Sequence, residues 1–154
     1  MTPLLRTGLV VALVAALGTI AVLHREVRGQ SAPSHKLVLH ITENDPAKMT
    51  MVLNNMTNAA GIWNKRGEPY EIEVVAIGPG LHMLREDTSP VKERVKTMAE
   101  TIPHLTFSTC ENTRAGMRKA EGKEIPLVAQ AHPVPAGIVR IEELEEQGYH
   151  YVRP

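Results

Sequence analysis

Short apolar stretches recur along the C-terminal four-fifths of the chain, each ending in small or turn-forming residues and followed by a segment of helical period. This alternation constrains the fold most. Residues 36–42 (KLVLHIT) place Leu37, Leu39 and Ile41 on one face and Val38 on the other. A strand apolar on both faces fits a central parallel strand, buried above and below, better than a half-solvated one. Residues 71–77 (EIEVVAI), 105–110 (LTFSTC), 125–131 (IPLVAQA) and 149–153 are the further strand candidates. Strands that alternate with helices predict an α/β sandwich: a mainly parallel sheet of about five strands with helices on both faces.

The intervening segments carry helix signals. Asp45 precedes Pro46, a capping residue followed by a proline suited to the first helical position. Met49, Val52, Leu53, Met56, Ala60 and Trp63 then recur at helical spacing, a stripe that reads as core packing rather than a soft-metal site. A second helix is expected after Ser89–Pro90, its inward face Val91, Val95, Met98 and Ile102. The basic segment Arg114, Arg118, Lys119 is interrupted by Gly116 and ends near Gly122. Residues 138–147 form the last expected helix, burying Ile138, Ile141 and Leu144 behind a solvated run of glutamates.

Residues 1–32 differ in kind. Residues 8–23 (GLVVALVAALGTIAVL) carry no charge and suit the apolar region of an export signal, being a little short for a membrane span of about 20 residues. Gly29 and Ser31 offer a cleavage pattern, whereas the charged approach His24, Arg25, Glu26 and Arg28 fits an uncleaved anchor. Either reading assigns residues 33–154 to one exported, periplasmic or membrane-anchored domain. Removing 1–32 leaves 14 basic and 16 acidic residues, a formal charge of −2. With five aromatic residues in the whole chain and no basic excess, nucleic acid is not an expected partner.

Cys110 is the only cysteine. It lies where a strand hands over to a helix, next to unpaired backbone N–H groups and the positive end of the helix dipole, which favour the nucleophilic thiolate. A small buried residue is the competing reading, since free cysteine is often buried. An unpaired cysteine in an exported chain points to intermolecular pairing or a reactive thiol. In a parallel sheet the ligand crevice lies beyond the carboxyl ends of the strands. Those ends bring Asn44, Gly78, Gly80, His82 and His132 into consideration as neighbours of Cys110, alongside Asn112, Thr113 and Arg114 just after it. The sequence has no HExxH, CxxC or close histidine pair, so neither metal nor cofactor is expected, and no GxSxG elbow is present.

HKLVLHIT, EVVAIGPGLHML at 73–84, the SPV at 89–91, FSTCENT at 107–113, VPAGIVRI at 134–141 and the closing GYHYVRP together resemble the DsrE/DsrF-like family, in its small single-domain branch. The resemblance covers nearly everything after about residue 34. It implies a flavodoxin-like three-layer fold, homo- or hetero-oligomers, and a sulfur-carrying cysteine at the position of Cys110. The best-understood members of that family are cytoplasmic and work with partner subunits, so an export segment departs from the pattern. Two functions follow as expectations. One is an extracytoplasmic sulfur-relay protein, a carrier or sulfurtransferase forming a persulfide on Cys110, with donor and acceptor unidentified. The other is a non-catalytic homo-oligomeric module of the same fold that binds a small ligand or partner in the same crevice.

Overall fold

A computed structural model describes residues 35–154; the expected signal or anchor lies outside the described residues. Five strands form one parallel sheet: β1 (His35–Ile41), β2 (Tyr70–Ala76), β3 (Leu105–Cys110), β4 (Ala131–Val134) and β5 (His150–Val152). Their order is β4-β3-β2-β1-β5. Four helices connect them: α1 (Pro46–Arg66), α2 (Lys92–Thr101), α3 (Glu111–Glu121) and α4 (Gly137–Glu146), with a 3-10 helix at Gly78–Leu84. The arrangement is the expected flavodoxin-like three-layer sandwich.

The strand order decides where the helices go. From β1 to β4 the chain steps in one direction, so right-handed crossovers set α1, α2 and α3 on one face; the return from β4 to β5 sets α4 on the other. Packing agrees. Leu39, Ile41, Ile72, Val74 and Phe107 meet Met49, Leu53 and Met56 of α1 and Val95 and Met98 of α2 on the first face. Val38 and Val75 meet Ile141 and Leu144 of α4 on the second. Connections leaving β3 and β4 therefore diverge to opposite faces, and a crevice opens between the carboxyl ends of these neighbouring strands.

Local chemistry sets the element ends. The Asp45 carboxylate accepts from the Ala47 N–H at 2.8 Å to start α1. Gly67, in the left-handed region at φ 66°, closes it by donating to Asn64 and Trp63. Trp63 stacks on His35, ring centroids 4.7 Å apart, and leans on Tyr70, pinning the end of α1 to the start of the sheet.

Four expectations need correction. The stretch 125–131 is not a strand: Ile125 and Val128 are buried plugs of a loop whose backbone bonds to Leu84 and Glu86, and the strand begins only at Ala131. Pro133 sits in that strand because β4 is an edge and needs no donor on its open side. Gly116 does not interrupt α3, which runs on to a left-handed C-cap at Gly122. Ile138 is 66% exposed, because the buried stripe of α4 is Gly137, Ile141 and Leu144. Finally, α2 begins after Val91 rather than directly after Pro90; the Ser89 hydroxyl accepts from the Val91 N–H at 3.3 Å just ahead of it and donates to the Met83 carbonyl at 2.6 Å, fastening the 3-10 helix.

Candidate functional site

Along β3, Phe107 packs on the α1/α2 face, so alternation turns Ser108 and Cys110 towards α4. Cys110 is the last residue of β3 and the N-cap of α3, a place usually held by a hydroxyl or carboxylate that accepts from the first turn. Here the residue is a cysteine, and its side chain makes no capping hydrogen bond to the first turn. It is the second strand of the crevice that makes the site unusual. The chain returns from β4 through Val134, Pro135 and Ala136 and begins α4 at Gly137 directly over Cys110. A Cβ at position 137 would stand 3.2 Å from the Cys110 Cβ and 2.5 Å from Ile77 Cγ1, so glycine is what lets the helix start this close. No side chain caps α4, and its first N–H groups are free to serve the thiol.

Burial opposes ionisation of Cys110, which is 5% exposed. The Thr113 hydroxyl and the backbone N–H groups of Gly137, Thr113 and Asn112 outweigh it and bring the thiol below its ordinary pKa. Two helix N-termini thus meet at one cysteine. Thr113 is itself oriented: its hydroxyl oxygen accepts from the Gly78 N–H at 3.0 Å, which leaves its proton for the sulfur. The Asn112 N–H is shared with the Pro135 carbonyl at 3.3 Å, so it contributes least.

Of the residues singled out in the sequence, Gly78, Asn112 and Thr113 lie in this constellation. Gly78 stands at φ 56°, a conformation few side chains adopt, and presents its N–H to Thr113. Gly80 acts one step back: it packs on the end of β1, where a Cβ would fall 2.3 Å from the Ile41 carbonyl oxygen. Arg114 turns away, donating to the Ile125 carbonyl at 3.0 Å and to Glu111 at 3.3 Å, and Arg118 pairs with Glu124. Positive charge at the thiol therefore comes from backbone dipoles rather than from these arginines. His82 bonds to the Thr88 hydroxyl at 2.8 Å, its pKa lowered by burial and then by the nearby Arg85. Asn44 is exposed just ahead of the α1 cap, and His132 is exposed on β4 opposite Ser108. None of these three is placed against the sulfur by a described contact. Among the described residues no group of three or more His, Cys, Asp or Glu is set to hold a metal ion.

Gly137 is the contributor that the sequence does not announce. Beside it a cavity of about 210 Å³ is lined by Val134, Pro135, Ala136, Val139, Arg140 and Glu143. The neutral donors around Cys110 favour its thiolate over its thiol.

A solved structure of a protein of unknown function from Methanobacterium thermoautotrophicum is similar to this chain. Its TM-score is 0.67 at 27% identity, over 79% of this chain and 100% of that one. No family model matches the chain, and no curated protein matches it.

Proposed function

We propose that this protein is an extracytoplasmic sulfur carrier that holds sulfane sulfur as a persulfide on Cys110. The observation that carries the reading is a lone cysteine at the N-cap of α3 with Gly137, the first residue of α4, packed directly against it. A sulfur carrier needs a nucleophilic thiolate, donors for the terminal sulfur anion, and no second cysteine to expel the sulfur as a disulfide. The donor set supplies the first two needs. The sequence, with one cysteine, supplies the third. The resemblance to the DsrE/DsrF-like family at FSTCENT points the same way.

The step is a displacement without net redox change. The Cys110 thiolate attacks the sulfane sulfur of a polysulfide or thiosulfate. A new S–S bond forms to Cys110, the donor's bond to that sulfur breaks, and its electron pair leaves with the shortened polysulfide or with sulfite. Transfer to an acceptor thiolate reverses the chemistry. No cofactor takes part. We further place the protein outside the cytoplasm, because residues 8–23 suit an export signal, and as a homo-oligomer, for which exposed Tyr151 and Val152 on edge strand β5 provide surface. A reporter joined after Pro33 should be active only outside the cytoplasm. Light scattering should give more than the chain mass.

Intact-mass measurement after incubation with polysulfide or thiosulfate tests the central claim. The wild type should gain sulfur, Cys110→Ser should not, and sulfide alone, already fully reduced, should load neither. One observation favours the non-catalytic binding module instead: the thiol is only 5% exposed. That reading stands if the wild type stays unmodified and iodoacetamide labels Cys110 no faster in the native protein than in the unfolded one.

A further inference from the structure

We propose that Glu73 and Arg140 form a clamp that positions the first turn of α4, and with it the Gly137 N–H, on the Cys110 sulfur. The inference deepens the reading of the Cys110 site and rests on that site's use of a thiolate. Glu73 is 3% exposed in the middle of β2, on the face towards α4. Both its oxygens are taken by the Arg140 guanidinium, Nε to Oε1 at 2.8 Å and Nη2 to Oε2 at 2.7 Å. The Ser108 hydroxyl also donates to Oε1, at 2.6 Å, and Ser108 lies two residues before Cys110 on β3. Arg140 in turn donates its backbone N–H to the Ala136 carbonyl at 3.0 Å, closing the first turn of α4. One carboxylate thus ties together β2, the strand that carries the cysteine and the helix turn that faces it.

This expense is poorly explained by stability. A buried ion pair loses hydration that apolar side chains of the same volume would not, and replacing one is often neutral or stabilising. A fork of two parallel bonds fixes direction and distance as no apolar contact does. The helix needs that fixing. Its N-terminus has no capping side chain, and glycine at 137 adds no side-chain contact of its own to hold the turn in place.

Charge alone predicts the opposite of position, which makes the two separable. The titratable and charged groups around the thiol and the clamp are Glu111 and Arg114 on α3, Glu73 and Glu71 on β2, Arg140 and Glu143 on α4, and Tyr149, which donates to Glu71 and faces Glu73 and Arg140, with His132 exposed on β4. Glu73→Gln removes a negative charge, so acting through charge it lowers the Cys110 pKa. Acting through position it frees the first turn of α4 and raises the pKa. Loss of one donor to a thiolate corresponds to a rise of about one pK unit, a roughly tenfold smaller thiolate fraction below the pKa. Arg140→Lys keeps the charge and loses the fork; it should raise the pKa in the same direction. It lies at the half-exposed end of the pair, and so remains informative should Glu73→Gln fail to fold.

The experiment is the pH profile of iodoacetamide labelling of the full chain, with circular dichroism to verify the fold. A raised midpoint in both folded variants, or in Arg140→Lys alone if the other does not fold, supports the clamp. A midpoint that stays in place or falls in folded Arg140→Lys overturns it, as does a fall in folded Glu73→Gln. Sulfur loading is scored separately by intact mass. A wild type that never loads sulfur yet shows these shifts retires the carrier reading and leaves the clamp standing.

Discussion

Thr113→Val removes one hydroxyl from the thiolate's surroundings while keeping the shape of the side chain, and its consequences can be worked through. The hydroxyl accepts from Gly78 at 3.0 Å and acts on the Cys110 sulfur, so its loss is felt at both ends. A hydrogen bond to a charged group contributes about 1.5–3 kcal/mol. That is roughly one to two pK units. Three backbone donors remain and can tighten, so we expect a rise at the lower end, about one unit. Below the pKa the thiolate fraction then falls about tenfold, but the more basic thiolate is intrinsically more reactive, with a Brønsted slope of about 0.4–0.5, and the labelling rate drops only roughly threefold. A single-pH rate therefore understates the change, and the midpoint of a full pH profile is the quantity to measure. Stability gives an independent reading with a definite sign. A thiol whose folded pKa lies below its unfolded value contributes stability that is fully present above about pH 8.5 and is lost as pH falls through the folded pKa. The stability gap between wild type and Thr113→Val should thus widen from acid to alkaline pH, by about 1.4 kcal/mol per pK unit removed. A midpoint that does not rise, or a gap that stays constant with pH, refutes the claim that this hydroxyl stabilises the thiolate.

Three other outcomes follow from the packing. Gly80→Ala should cost about 1–3 kcal/mol in urea unfolding, because its Cβ meets the Ile41 backbone carbonyl rather than a movable side chain; an unchanged midpoint counts against that contact. Arg85→Ala should destabilise by about 2–3 kcal/mol, less than for a wholly buried pair, since the stranded Asp87 and Glu121 are partly exposed and regain water. Acid should also weaken the fold. Hydrogen bonds from Lys48, Thr42 and Arg153 hold Glu43 at about 2, and Arg85 holds Asp87 and Glu121 below the usual carboxylate range. Their contribution is complete above their unfolded pKa of about 4 and is lost as pH falls through the folded values, so the melting temperature should be lower at pH 3 than at pH 6.

What could be read in the sequence was local. Two-sided strands such as KLVLHIT, the Asp45–Pro46 start of α1 and the position of Cys110 before a helix all depend on neighbours in the chain. Asn112 and Thr113 were legible for the same reason, because an N-cap reaches only into the next turn. Gly137 was not, since the strand order of the sheet, rather than any motif, carries it to Cys110. Apolar spacing in residues 125–131 did not distinguish a strand from a loop that plugs the core with Ile125 and Val128. Arg114 and Arg118 showed their charge in the sequence but not their direction, which Ile125, Glu111 and Glu124 decide.

The return of α4 from the far edge of the sheet has a consequence for synthesis. The chain is made from the N-terminus, and β1, α1, β2, α2, β3 and Cys110 exist before Gly137 and Arg140 do. Pairing of β5 with β1 joins the two ends of the domain, a contact of long sequence separation that closes late because it must first overcome a large loop entropy. Until then Cys110 lacks the second helix terminus and is a thiol of weaker acidity, slower to react with oxidants met along the way. If the second helix terminus activates the sulfur, alkylation of chains that end before residue 136 and are joined to the ribosome by a flexible linker long enough to carry Cys110 and α3 clear of it should be slower than that of the released protein, and equal rates would show that α3 alone activates the sulfur.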